Sequence, residues 1–114
     1  MTELRVGIAG YGVVGKRRKA CIDRNPHMRV VAVCDRTFEQ EEGVLSDGVR
    51  YSRTYTQLLE QELDVLIVCL TNDVAADATI AGLDHGLHVF CEKPPGRYLA
   101  DIGRVMCCER RYPA

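Results

Sequence analysis

Apolar runs along this chain alternate with stretches whose apolar residues recur at helical spacing. Leu4 to Ala9 is a short apolar run leading straight into Gly10, Gly12 and Gly15. Residues 13–24 then read as a helix, stopped at Asn25-Pro26 because proline disfavours helix in the residue before it. Met28 to Cys34 is apolar and β-branched with little alternation, the pattern of a strand covered on both faces of a parallel sheet. Residues 37–48 are acidic and punctuated by glycine, and read as a short helix or loop. Residues 49–51 read as a brief edge strand, and residues 56–61 as a helical turn or two capped by Thr54 or Thr56. The most hydrophobic run, residues 65–70, is expected to be a central buried strand. From Asn72 the period changes: Val74, Ala78, Ala81 and Leu83 take helical spacing, Asn72 or Asp73 offers a cap, and Gly86 closes the helix. Residues 87–91 form the next strand and residues 98–110 one more helix. Strands alternating with helices throughout predict an α/β fold with a doubly wound parallel sheet, in one domain over residues 1–114.

The first strand, turn and helix carry glycines spaced as G-x-G-x-x-G. In a dinucleotide site Gly10 allows the sharp turn, Gly12 lets backbone approach a pyrophosphate, and Gly15 lets the helix pack close to the strand. The amides around Tyr11, Val13 and Val14 then face the phosphates at the positive end of the helix dipole. Without a ligand, the same glycines would serve as a plain packing turn. Asp35 decides between these readings: it stands twenty residues after Gly15, at the end of the second apolar run, where a carboxylate meets ribose hydroxyls. Ligands of such sheets bind outside the carboxyl ends of the strands. Gly10, Asp35, Leu70-Thr71-Asn72, Glu92 and Lys93 all fall at such ends, so one crevice gathers them.

Charge and composition narrow the partners. A net charge of -1 gives no general attraction to nucleic acid or anionic membrane. The basic run from Lys16 to Lys19 lies in the first helix and reads as its solvated face rather than a nucleic-acid patch. No stretch has the length of a membrane span, and residues 1–3 lead directly into the first strand, so a cytoplasmic protein is expected. The cysteines follow the fold: Cys34, Cys69 and Cys91 at strand ends, Cys21 in the first helix, and Cys107 beside Cys108, with no C-x-x-C. Buried, reduced thiols are expected. His27, His85 and His88 have no metal-ligand spacing, so no metal site is expected.

Glu92-Lys93-Pro94 sits between a buried strand and a second proline at the ligand edge. An ammonium held there can hydrogen-bond a reacting hydroxyl or carbonyl oxygen; an ordinary exposed ion pair on a proline loop is the other reading. Together with the glycine turn, these residues resemble the glucose-fructose oxidoreductase, inositol dehydrogenase and rhizopine catabolism family, Gfo/Idh/MocA. The matching strings are Val-Gly-Ile-Ala-Gly-Tyr-Gly-Val-Val-Gly at 6–15, Val-Cys-Asp-Arg at 33–36, Asn72-Asp73 opening a helix, and Gly-Leu-His-Val-Phe-Cys-Glu-Lys-Pro at 86–94. The resemblance implies a Rossmann fold, places Lys93 beside the nicotinamide and the substrate's reacting carbon, and gives Glu92 a supporting cofactor contact. It also makes Lys93-Pro94 a candidate cis peptide. The chain departs from the family where Thr-Pro-Asn and a following histidine are usual: it has Leu70-Thr71-Asn72 and Ala75.

The implied function is NAD(P)-dependent hydride transfer to or from a sugar, cyclitol or related carbonyl compound. Asp35 favours NAD because a carboxylate repels a 2'-phosphate, while Arg36, able to stack on adenine or bind that phosphate, keeps NADP open. The family continues into a C-terminal α+β substrate domain that these 114 residues lack, so the expectation is a cofactor domain truncated at its C-terminal edge. Two alternatives stand beside it: a dinucleotide-binding sensor or regulatory module, and a subunit completed by a partner chain or by self-association.

Overall fold

In a computed structural model, which describes residues 4–70 and 72–91, six strands form one sheet in the order β3-β4-β2-β1-β5-β6. Five of them, β1 (Leu4–Ala9), β2 (Met28–Cys34), β4 (Arg50–Ser52), β5 (Val65–Val68) and β6 (His88–Cys91), run parallel; β3 (Glu42–Val44) is antiparallel to β4. The chain runs from β1 to β2, out to β3 at the edge and back to β4 between β3 and β2, then crosses to β5 and β6 on the other side of β1. The order therefore reverses between β1 and β5, where open α/β sheets bind ligands.

Both faces of the sheet are covered. Helix α1 (Val13–Asp23) packs Ile22 against Val6, Ile8, Val30, Val33 and Ile67 on one face. On the other, α2 (Tyr55–Leu58) and α3 (Asn72–Asp84) pack Leu58, Ala75 and Ala78 against Ala9, Ala32, Leu66 and Val68. Thr54 caps α2 through its side chain, which accepts from the Gln57 amide. Helix α3 ends at Gly86, whose φ of 75° is cheap only for glycine. There the Leu87 amide donates to the Gly82 carbonyl and the Gly86 amide to that of Leu83, a Schellman closure.

Three expectations need correction. Residues 37–48 are not a helix or bare loop: they contain β3, which forms the sheet's outer strand. Residues 49–51 are accordingly not an edge; β4 spans Arg50–Ser52 and lies between β2 and β3. The buried face of α3 is Ala75, Ala76, Ala78, Thr79 and Gly82; of the expected positions Ala78 is fully buried, while Val74, Ala81 and Leu83 are only partly so. Small residues win because the helix lies close over β5 and β6, where a side chain at Gly82 would run into Leu66 and Val89. The helix expected at residues 98–110, the pair Cys107-Cys108 and the Lys93-Pro94 bond lie outside the described residues.

Candidate functional site

The carboxyl ends of β1, β2 and β5 are tied together by backbone. The Gly10 amide donates to the Cys34 carbonyl at 2.8 Å, and the Cys69 amide to the Ala9 carbonyl at 2.7 Å. Gly10 takes φ 96°, and a Cβ there would lie 2.5 Å from the Cys69 carbonyl oxygen, so both conformation and space demand glycine. A Cβ on Gly15 would overlap the Gly10 carbonyl, so the helix lies this close to the end of β1 only with glycine there. Gly12 differs: a Cβ there would meet nothing within 4 Å. What its bareness preserves is open space in front of α1. That helix begins at Gly12 without a side-chain cap and with no acidic residue in its first turn. Its first amides and dipole are left for an anion supplied from outside.

A cleft of about 440 Å³ opens at this point. Of the residues expected from sequence, Gly10, Gly12, Asp35, Arg36 and Leu70 line it. Val13 and Val14 stand exposed on the first turn of α1, and Tyr11 turns aside to stack on Phe38, with ring centroids 6.5 Å apart. Asn72 opens α3 at the same end of the sheet. Thr71, Glu92 and Lys93 lie outside the described residues. Thr37, Arg53, Thr54, Tyr55, Cys69 and Val74 also line the cleft, none of them singled out from sequence for it. Arg53 and Thr54 follow a strand of only three residues, too short to announce itself. The Asx pattern Asp35-x-Thr37 was the one local signal available.

Asp35 joins the two loops. One carboxylate oxygen accepts from the Tyr11 amide at 2.9 Å, and the other from the Thr37 amide at 2.9 Å and hydroxyl at 2.8 Å. A carboxylate offers about four acceptor directions, so room remains for one further donor such as a ribose hydroxyl. Partial burial pushes its pKa up, but the donors on Thr37 and Tyr11 and the charge of Arg36 outweigh this and hold it below the usual carboxylate value. The sign follows: a depressed folded pKa stabilises the fold above the unfolded pKa of about 4, and that contribution is lost as pH falls through the folded value. Asp35→Ala is therefore expected to cost about 1–2 kcal/mol at neutral pH, toward the low end because the group is only half-buried. Urea denaturation at pH 7 and at pH 3 checks this, since the gap between variant and parent must shrink in acid.

Burial pushes the Cys34 thiol up to about 11, with the Gly10 amide opposing and the nearby Asp35 charge adding. It is an inert wall of the cleft. Cys69 and Cys91 are half-buried, whereas Cys21 is exposed on α1, against the expectation that all were buried. Of the basic run, Lys16 and Arg17 are exposed, but Lys19 is drawn down between Asp23 at 2.6 Å and Asp47 at 3.2 Å. Among the described residues, no group of three or more His, Cys, Asp or Glu side chains could hold a metal ion, and no helix is long and apolar enough to cross a membrane.

Fold and cleft together define a nucleotide-binding α/β domain of the doubly wound class. More narrowly, residues 4–113 match the model of the Gfo/Idh/MocA oxidoreductase family, described as an NAD-binding Rossmann fold, and the chain belongs to that family. It is 30% identical over 115 residues to inositol 2-dehydrogenase of Salmonella typhimurium, covering 95% of this chain and 34% of that one. It is 33% identical over 111 residues to D-glucoside 3-dehydrogenase of Escherichia coli, covering 93% and 31% respectively. The chain thus spans about a third of the length of the curated relatives it matches. In fold it is similar to the WlbA dehydrogenase of Bordetella pertussis, solved in complex with NADH and UDP-GlcNAcA, with a TM-score of 0.84 at 21% identity over 98% of this chain and 33% of that one.

Proposed function

We propose that this domain holds NAD(H) for hydride transfer to or from a sugar, cyclitol or related hydroxyl or carbonyl substrate. The observation that carries the reading is the uncapped start of α1 over Gly12, with Asp35 fixed across the same cleft. The residues fit the cofactor. The bare Gly12 edge and the amides of Val13 and Val14 suit a pyrophosphate, and the remaining acceptor direction of Asp35 suits a ribose hydroxyl. When bound, the nicotinamide supplies the hydride chemistry. In this reading Lys93 gives or takes the proton at the substrate oxygen, Glu92 supports the cofactor, and Thr71 and Asn72 flank the nicotinamide half. NAD is favoured over NADP because Asp35 stays ionised and repels a 2'-phosphate; Arg36 and Arg53 beside it leave NADP the weaker second ligand. Substrate contacts come from further chain or a partner, a self-associated copy included, and the setting is cytoplasmic.

Titration with NADH and NADPH, followed by nicotinamide fluorescence, tests the reading. NADH is expected to saturate at lower concentration than NADPH; no binding of either up to millimolar levels would end it.

A further inference from the structure

At the opposite end of the sheet, the amino ends of β1, β2 and β4 enclose a second depression of about 480 Å³, with Arg5, Arg29 and Arg50 on its walls and Gln61 and Glu62 at its rim. The three arginines come from adjacent strands, and a β-bulge puts them on one face. The pairing of β1 with β2 steps from Val6 opposite Val30 to Gly7 opposite Ala32, leaving Val31 as an extra residue. Arg5 pairs with Arg29 ahead of that step, and Arg50 pairs with Ala32 after it. In a regular strand, residues 29 and 32 are an odd number apart and face opposite ways. The extra residue cancels this and turns Arg29 and Arg50 toward the same side as Arg5.

The charges around the depression are unevenly matched. Arg5 is held by Glu62 at 2.7 Å and by Asp64 at 3.2 Å, and Asp47 on the far wall is taken by Lys19 and the Val49 amide. Glu62, Asp64 and Asp47 are therefore engaged, while the side chains of Arg29 and Arg50 have no hydrogen-bond or ion-pair partner among the described residues. Guanidinium groups are suited to bidentate binding of carboxylate and phosphate oxygens. We propose that this depression is an anion site in which Arg29 and Arg50 together grip a small dianion, phosphate or dicarboxylate. It lies at the strands' amino ends and the nucleotide cleft at their carboxyl ends, so both can be filled at once.

The 114-residue chain is titrated with inorganic phosphate and, separately, with succinate, following backbone amide shifts by NMR. Saturable shifts are expected at Arg5, Arg29, Val31, Arg50 and Gln61. Binding is expected to weaken by about tenfold in Arg29→Gln and in Arg50→Gln, and to weaken further as salt rises. Both side chains are exposed, so these variants are expected to keep the parent's amide spectrum elsewhere. Response to phosphate alone or to succinate alone names the acid group preferred, and either supports the site. Shifts confined to residues 10–15, no saturable shift with either anion, or binding unchanged in both variants would overturn it.

Discussion

Gly10→Ala is expected to cost the domain about 2–5 kcal/mol and to take NADH binding with it, whereas Gly12→Ala should fold as the parent does and still fail to hold the dinucleotide. The two glycines stand two residues apart in one motif, but their surroundings differ. At position 10 a methyl group meets a positive φ of 96° and the Cys69 carbonyl oxygen at 2.5 Å, and that oxygen is backbone of β5's end, which cannot swing aside. The unfavourable dihedral contributes about 1–2 kcal/mol and the overpacking about 1–3 kcal/mol. Against a total stability of about 5–15 kcal/mol that is a large loss. At position 12, φ is -85° and no atom lies within 4 Å, so the stability change should stay within about 0.5 kcal/mol. The added methyl would instead occupy the approach to the first amides of α1, and NADH affinity should fall by about tenfold or more. Urea denaturation midpoints and NADH titrations on the two variants, side by side, check both statements. A Gly12→Ala protein that unfolds as early as Gly10→Ala would make Gly12 a packing residue, and one that binds NADH like the parent would remove it from the site.

How far the sequence anticipated this arrangement depends on where the determining interactions lie. β1, α1, β2 and α3 are encoded locally, by apolar runs of sufficient length and by punctuation at Gly10, Pro26 and Gly86, and each was legible. β3 was not: Glu42-Gly43-Val44 has no alternation, and its one apolar side chain, Val44, is 61% exposed. It exists because its backbone pairs with β4, a contact no local pattern records. The same limit applies to the cleft. Gly10, Gly12, Asp35 and Leu70 were readable as strand-end residues, but Arg53, Thr54 and Tyr55 reach the cleft only because β4 docks beside β2. The bond from the Tyr11 amide to Asp35 spans two loops, and the bulge at Val31 depends on how β1 and β2 register. Spacing along the chain carries neither.

Lys93→Ala, made in a form of the protein that turns over substrate, is expected to lower kcat by about 100-fold to 10,000-fold while leaving NADH affinity within a few fold, if Lys93 handles the substrate proton as proposed. The asymmetry is the informative part. The dinucleotide is held, in this reading, by Gly12, the start of α1 and Asp35, groups borne on β1, β2 and their loops. In sequence Lys93 comes just after β6, two strands away from β1, and in the proposed reading its contribution is confined to the reacting oxygen. Removing a proton donor whose interaction strengthens in the transition state lowers kcat and kcat/KM together, without a matching rise in KM. The pH profile separates this from mere loss of a charge: the parent should show a limb in kcat/KM governed by the lysine, absent in Lys93→Ala and shifted in Lys93→Arg, whose guanidinium stays protonated. Equal loss of NADH affinity and turnover would make Lys93 a cofactor-binding residue instead, and unchanged turnover would leave the lysine on its proline loop as a surface ion pair.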